Sequence, residues 1–192
     1  AVLASLERRG LRALATLHHF TNPLWIADQG GWENPETIRH FCAFVRFCAR
    51  EFGSEVDWWC TVNEPEVCAF RGWSEGVWPP AKRDESAALA VMANLLEAHG
   101  LAYRILHEQD RGGAEGRGRT AHVGFAKHLP QLEGDRWWFP FDGLRARYED
   151  AVFNQAVLEA AMTGEIRLEI PGSRGVRRRV PELEKSLDFV GI

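Results

Sequence analysis

No apolar run in these 192 residues approaches the roughly 18 that a membrane-spanning helix needs. The opening AVLASLERRG lacks the basic, apolar and small-residue order of a secretory signal. A cytoplasmic location without membrane contact is therefore the expectation. Basic charge is not in surplus either: 23 Lys and Arg against 27 Asp and Glu leave a net charge of -4 with no basic stripe. Nucleic acid is not an expected partner, because a phosphate backbone would find no clustered cations to neutralise. Cysteine is sparse. Cys42, Cys48, Cys60 and Cys68 show no CxxC or other metal-like spacing and sit in apolar surroundings, so reduced core thiols are expected rather than a zinc site or a disulfide framework. No GxGxxG or GxxxxGKS occurs, which removes the usual sign of a phosphate-cradling turn.

What is present is a composition ordinary for a globular protein, 45% hydrophobic and 26% charged. Its one oddity is eight Trp. Such a surplus serves either a large core or a pocket for ligands with flat apolar faces, such as sugar rings.

Short β-rich runs alternate with longer helical patterns. The segment from Leu11 to Phe20, LRALATLHHF, is almost wholly apolar until its end and predicts a strand covered on both faces, following a helix tail closed by Gly10. In NPETIRHFCAFVRFCAREFG, Asn34 is an N-cap candidate and Pro35 suits the first helical position. Ile38, Phe41, Cys42, Val45, Cys48 and Phe52 then recur at helical spacing before Gly53. VDWWCTVNE predicts the next strand, and ESAALAVMANLLEAHGLAYRILHEQ a long helix with Gly100 as a tolerated defect. The stretch Asp110 to Thr120 reads as a polar, glycine-rich linker. AHVGFAKHL is a third strand, FDGLRARYEDAVFNQAVLEAAMTG a helix stopped by Gly164, and LDFVGI a fourth strand. The order (α)βαβαβαβ implies parallel strands with helical crossovers. An open doubly wound sheet and a (β/α)8 barrel both fit. His18, His19, Asn63, Glu64, Lys127 and His128 all fall at the C-terminal ends of successive strands, where barrel enzymes build their sites.

Among these, Glu64 stands out. Pro65 cannot donate to a ladder, so the strand stops and presents the carboxyl at its rim. In a partly apolar cavity beside Trp59 the charged form would be disfavoured, which suits a general acid. As a bare tripeptide, Asn63-Glu64-Pro65 is more readily read as a turn, with Asn63 bonding locally and Glu64 solvated.

The wider pattern resembles glycoside hydrolase family 1, the β-glucosidase family. TLHHFTNPLW is similar to that family's TLYHWDLP at the end of barrel strand three, and GGWENPE to the loop that follows. WCTVNEPEV resembles its strand four, and GWSEGVWPP the succeeding glycine and proline loop. NLLEAHGLAYRILHE, FNQAVLEAAMTG and LDFVGI resemble later segments in the same order. The resemblance implies an α/β fold, a partial (β/α)8 TIM barrel covering about strands three to six, with residues 1–192 forming one incomplete domain. It implies a retaining β-glycosidase acting on a small carbohydrate substrate without cofactor or metal. Glu64 would be the catalytic acid/base, Asn63 the donor to the sugar 2-hydroxyl and His19 a partner of the glycone hydroxyls. Trp73 and Trp78 are candidates to line the aglycone side. Where the family has Trp and Asp after the histidine, this chain has Phe20 and Thr21. The family's ITENG segment, which carries the nucleophile, does not occur in these residues, so an isolated fragment is expected to be inactive. An endo-acting cellulase of a related barrel family and a non-catalytic carbohydrate-binding fragment are the alternatives; oligomeric state stays open.

The remaining polar residues have plainer readings. Adjacent strand residues face opposite ways, so His19 is expected at the barrel mouth and His18 packed beneath a helix. Asn94 and His99 are expected to be satisfied within helix packing. Lys127 and His128 are expected as rim residues facing water. Trp25 and Trp32 are placed in the loop after the first strand, and Trp137 and Trp138 at an edge. RGVRRRVPELEK is expected as a solvated loop or helix start. Glu66 is not nominated as nucleophile, because a short turn need not carry it to the opposite face of a sugar.

Overall fold

The amphipathic helix with the clearest periodicity spans Glu36–Phe52 (α3) and buries Ile38, Phe41, Cys42, Val45 and Cys48. Its start is set by Pro35, and the Asn34 side chain accepts the Glu36 N–H at 3.0 Å. The computed structural model describes residues 1–112, 121–136 and 138–192. Apart from the helical backbone of 110–112, the glycine-rich stretch expected as a linker and Trp137 lie outside the described residues.

Before α3 come α1 (Val2–Arg8), β1 (Leu14–His18), α2 (Leu24–Asp28) and a 3-10 turn at Gly31–Glu33. After it come β2 (Trp58–Asn63), α4 (Pro65–Ala69), a π-helical turn at Phe70–Ser74 and α5 (Glu85–Gly112). Then follow β3 (His122–Ala126), α6 (Pro140–Asp150), a π-helical turn at Ala151–Gln155 and α7 (Ala156–Thr163). The chain closes with β4 (Glu165–Leu168), β5 (Val176–Arg179), a 3-10 turn at Pro181–Leu183 and β6 (Phe189–Gly191).

The four parallel strands lie in the order β1-β2-β3-β6, each beside its successor. A doubly wound sheet reverses direction at a switch point; this one advances in a single direction, as consecutive strands of a (β/α)8 barrel do. Register brings the strand ends level: His18 pairs with Val62, Asn63 with Ala126, and Ala126 with Gly191. β1 and β6 each pair on one side among the described residues, and Leu14 is 56% exposed. The expectation that β1 is covered on both faces is thus not met within these residues: it is an edge, alternately exposed and half-buried from Leu14 to Leu17, with His18 buried at its end.

The core lies between the sheet and α5. From Leu89 to Ala98 that helix buries Leu89, Val91, Met92, Ala93, Leu95, Leu96 and Ala98 completely, as a helix enclosed on most sides must. Gly100 is more than a tolerated defect. A Cβ there would stand 2.7 Å from the Leu183 backbone, so glycine is what lets α5 meet the turn at Pro181–Leu183.

Two further elements depart from expectation. Within the basic run, Val176–Arg179 forms strand β5, paired antiparallel with β4, and the three arginines of the strand are each paired. Arg177 meets Glu169, Arg179 meets Glu184, and Arg178 reaches Glu97 and the Asn94 side-chain oxygen. The long helix before Gly164 is interrupted by the π turn, while Gly164 does close it, with φ 73°.

Candidate active site

β2 carries Asn63 to the end of the sheet, where a register shift after Cys60 interrupts the ladder to β3. Irregularities of this kind re-aim the residues that follow. Glu64 then adopts φ 46°, ψ 68°, a left-handed conformation uncommon for a side-chain-bearing residue, and Pro65 begins α4 at once. Two backbone bonds fix this turn: the Glu64 N–H donates to the Ala126 carbonyl at 2.8 Å, and the Glu64 carbonyl accepts from Cys68 N–H at 3.0 Å. The Glu64 side chain is half-buried.

The end of β1 repeats the device. Phe20 is also left-handed, with φ 66°, and the Thr21 N–H donates to the His19 carbonyl at 2.8 Å. His19 is exposed and its ring meets Phe20 at 4.8 Å; Phe20 in turn meets Trp78 at 4.8 Å. Trp78 and Glu64 share the wall of one cleft of about 880 Å³. Phe70, His128, Tyr148 and Phe153 also line it, so it runs from the strand ends between α4 and α6. His19 and Phe20 are thus linked to the cleft wall through the ring contact of Phe20 with Trp78.

Trp73 is not on that wall. Its indole is 4% exposed, and its N–H donates to Glu33 at 3.2 Å, so it packs beneath the loop that presents Trp78. Trp32 is likewise buried, and Trp25 lies exposed against His40. Trp138 is exposed beside Arg136.

A second layer lies under the rim. His18 is buried and accepts the Trp32 indole N–H on Nε2 at 2.9 Å; burial pushes its pKa down to about 4. His99, also lowered to about 4 by burial, sits between Thr61 Oγ1 at 2.6 Å and Ser186 Oγ at 3.2 Å. Asn94 donates to the Trp32 carbonyl at 2.9 Å. All three are engaged in packing, as their helix and strand positions suggest.

Lys127 is a correction. Expected at the rim facing water, it is 2% exposed and its ammonium meets Glu66 at 3.1 Å. His128, by contrast, does line the cleft. Glu66 is wholly buried; burial raises its pKa, with the Lys127 charge acting in the opposite sense. It is therefore no candidate to attack a substrate. The other carboxylates on the cleft are each engaged: Glu75 by Arg71, Glu85 by Ser74 and Glu149 by Arg145. The missed signal for Lys127 is a partner 61 positions away, which no local pattern carries.

Among the described residues no group of three or more His, Cys, Asp or Glu is arranged to hold a metal ion. No helix among the described residues is long and apolar enough to cross a membrane. The cysteines are free and buried, and burial pushes the Cys68 thiol up to about 12.

The family model for Glycosyl hydrolase family 1 matches residues 1–132. A beta-galactosidase of Pyrococcus woesei is 28% identical over 209 aligned positions, covering 100% of this chain and 40% of its own. Beta-glucosidase A of Thermotoga maritima is 33% identical over 115 positions, covering 60% of this chain and 26% of its own. Among solved structures, the beta-glycosidase from Pyrococcus horikoshii superposes with a TM-score of 0.83 at 32% identity, covering 99% of this chain and 40% of that one. A beta-glucosidase from Thermotoga maritima in complex with glucoimidazole gives a TM-score of 0.75 at 27% identity, covering 86% and 36%. The chain thus spans less than half the length of these relatives.

Proposed function

The chain belongs to glycosyl hydrolase family 1, and from that premise we propose that it carries the acid/base side of the active site of a retaining β-glycosidase of β-glucosidase type. Glu64 is the acid/base. The observation that carries this reading is its placement: a half-buried carboxyl, turned out of β2 by a left-handed residue, on the wall of a cleft shared with Trp78.

In the first step the protonated Glu64 gives its proton to the glycosidic oxygen as the bond from that oxygen to the anomeric carbon breaks. A second carboxylate, which this reading places outside these 192 residues, forms the new bond to that carbon. In the second step Glu64, now ionised, takes a proton from water as the water oxygen displaces that carboxylate. Asn63, one residue before Glu64, is assigned to the 2-hydroxyl, whose contacts strengthen in the transition state. His19 is assigned to the glycone hydroxyls and Trp78 to the aglycone side. The buried position of Trp73 assigns it to support of that loop.

The substrate is a small β-linked glycoside. Matched relatives bear the names beta-glucosidase, beta-galactosidase and 6-phospho-beta-galactosidase, so the glycone is the finer question, and a panel of aryl β-glucoside and β-galactoside addresses it. The decisive test is Glu64→Gln in the longest native protein that carries this chain. Loss of turnover on alkyl β-glucosides is expected, with kcat/KM for dinitrophenyl β-glucoside largely kept, since only the poor leaving group needs the proton, and kcat for it lowered, since the second step has lost its base. Full activity of the variant on both substrates would overturn the assignment.

A further inference from the structure

Beneath the rim lies a group that the proposed chemistry does not use. Glu66 follows Glu64 by two residues, and its Oε1 accepts both the Lys127 ammonium at 3.1 Å and the His128 N–H at 2.9 Å. The turn after β2 is thereby clamped to the segment after β3. Lys127 Nζ donates further to the carbonyls of His128 at 2.9 Å and of Phe153 at 2.8 Å. With three donors on an ammonium, Glu66, His128 and Phe153 supply an acceptor for each. The Phe153 carbonyl belongs to the π turn Ala151–Gln155, where the helical ladder is locally reorganised. The ammonium also stands 5.0 Å from the Phe153 ring, on a residue that lines the same cleft as Glu64.

We infer that Glu66 and Lys127 are positioning residues for Glu64: their buried ion pair, anchored on the Phe153 carbonyl, locks the strand-to-helix turn in which Glu64 holds its left-handed backbone. A conformation of that kind persists where its surroundings over-determine it, and two backbone hydrogen bonds, to Ala126 and from Cys68, hold Glu64 directly. Stability alone does not explain the pair, because buried ion pairs are often matched or bettered by apolar residues of similar volume. Burial pulls Lys127 toward neutrality, while the carboxylates of Glu66, Asp150 and Glu64 act back in favour of the ammonium. The catalytic consequence, though not the clamp itself, rests on the function proposed for Glu64.

The test compares the unaltered protein with K127M and with the apolar double variant E66L/K127M, which leaves no unpaired buried charge and so retains a route to a folded state. In the 192-residue chain, amide hydrogen exchange at Glu64 and Cys68 is expected to accelerate about tenfold relative to amides inside β2. Exchange that changes uniformly along β2, or not at all, overturns the clamp. In the longest native protein, the ratio of kcat/KM for dinitrophenyl over alkyl β-glucoside is expected to rise about tenfold or more in both variants and to return toward its starting value in K127R. A merely structural defect lowers both substrates in proportion and leaves that ratio unmoved. If E64Q shifts the ratio and these variants shift neither ratio nor exchange, positioning fails while the proposed function stands. If exchange responds but E64Q leaves the ratio alone, the clamp stands and the assignment of Glu64 fails.

Discussion

The rim of the cleft and the layer beneath it are built from the same residue types, in places from neighbours in sequence. His19 is exposed and His18 is 5% exposed; Glu64 is half-buried on the cleft wall and Glu66 is fully enclosed. Trp78 lines the opening, and Trp73 is packed under it with its N–H on Glu33. The difference teaches that residue type at a strand end does not specify role. Role follows from which way the backbone turns, and both rim segments use a left-handed residue, Phe20 or Glu64, to make that turn.

The sharpest break in the comparison is between the two glutamates. Glu64→Gln is expected to lower turnover of alkyl β-glucosides by about 10²- to 10⁴-fold in the native protein, with unfolding free energy within about 0.5 kcal/mol of the parent. Glu66→Gln should do the reverse in kind. It leaves the Lys127 ammonium buried without its counter-charge, and a loss of about 3–5 kcal/mol in urea unfolding is expected. Equal destabilisation by the two changes would erase the distinction between rim and underlayer.

The tryptophans give a second contrast of smaller total effect. Trp73→Ala empties a core site and leaves Glu33 to Lys82 alone; about 3–5 kcal/mol of stability is expected to be lost. Trp78→Ala should leave the melting temperature nearly in place and raise KM about threefold to tenfold, as loss of an aromatic wall would. A Trp78→Ala protein that melts like Trp73→Ala would place both indoles in the core.

Much of this division could be read from the chain before any coordinates. The strand ends were visible because apolar runs stop on His, Asn and Glu, and Pro65 forces the turn that exposes Glu64. The αβ order followed from the same alternation, which fits a doubly wound sheet as well, and the barrel was what the family resemblance implied. The hairpin β4–β5 was hidden for a physical reason: of the alternating half-buried positions, Arg178 carries a charge, and it faces inward only because Glu97 and Asn94 meet it from α5. Lys127 was misplaced on the same ground, since its burial depends on Glu66, the Phe153 carbonyl and a π turn that periodicity does not reveal. Gly100 was readable only as a weakness, because the backbone it admits at Leu183 is distant in sequence. Local signals thus report where a segment ends, and long-range pairing decides what the charges there are for.

The underlayer should also announce itself in pH dependence. His18 and His99 have folded values near 4 against an ordinary 6.5, in both cases chiefly through burial. Because folding lowers these values, the stability they confer is complete above about 6.5 and is lost as pH falls toward 4, where the unfolded chain takes up protons that the folded one refuses. Each accounts for up to about 3 kcal/mol over that window. Glu66, whose value is raised by burial, works in the opposite sense and masks part of the slope. Subtraction isolates the histidine contribution. Chemical unfolding of the parent and of His99→Asn, followed from pH 7 to pH 4, should show a shallower decline in the variant, because the asparagine has no proton to gain. Identical slopes would mean that His99 opens to water before the fold is lost, and that the layer under Glu64 is less closed than its hydrogen bonds to Thr61 and Ser186 imply.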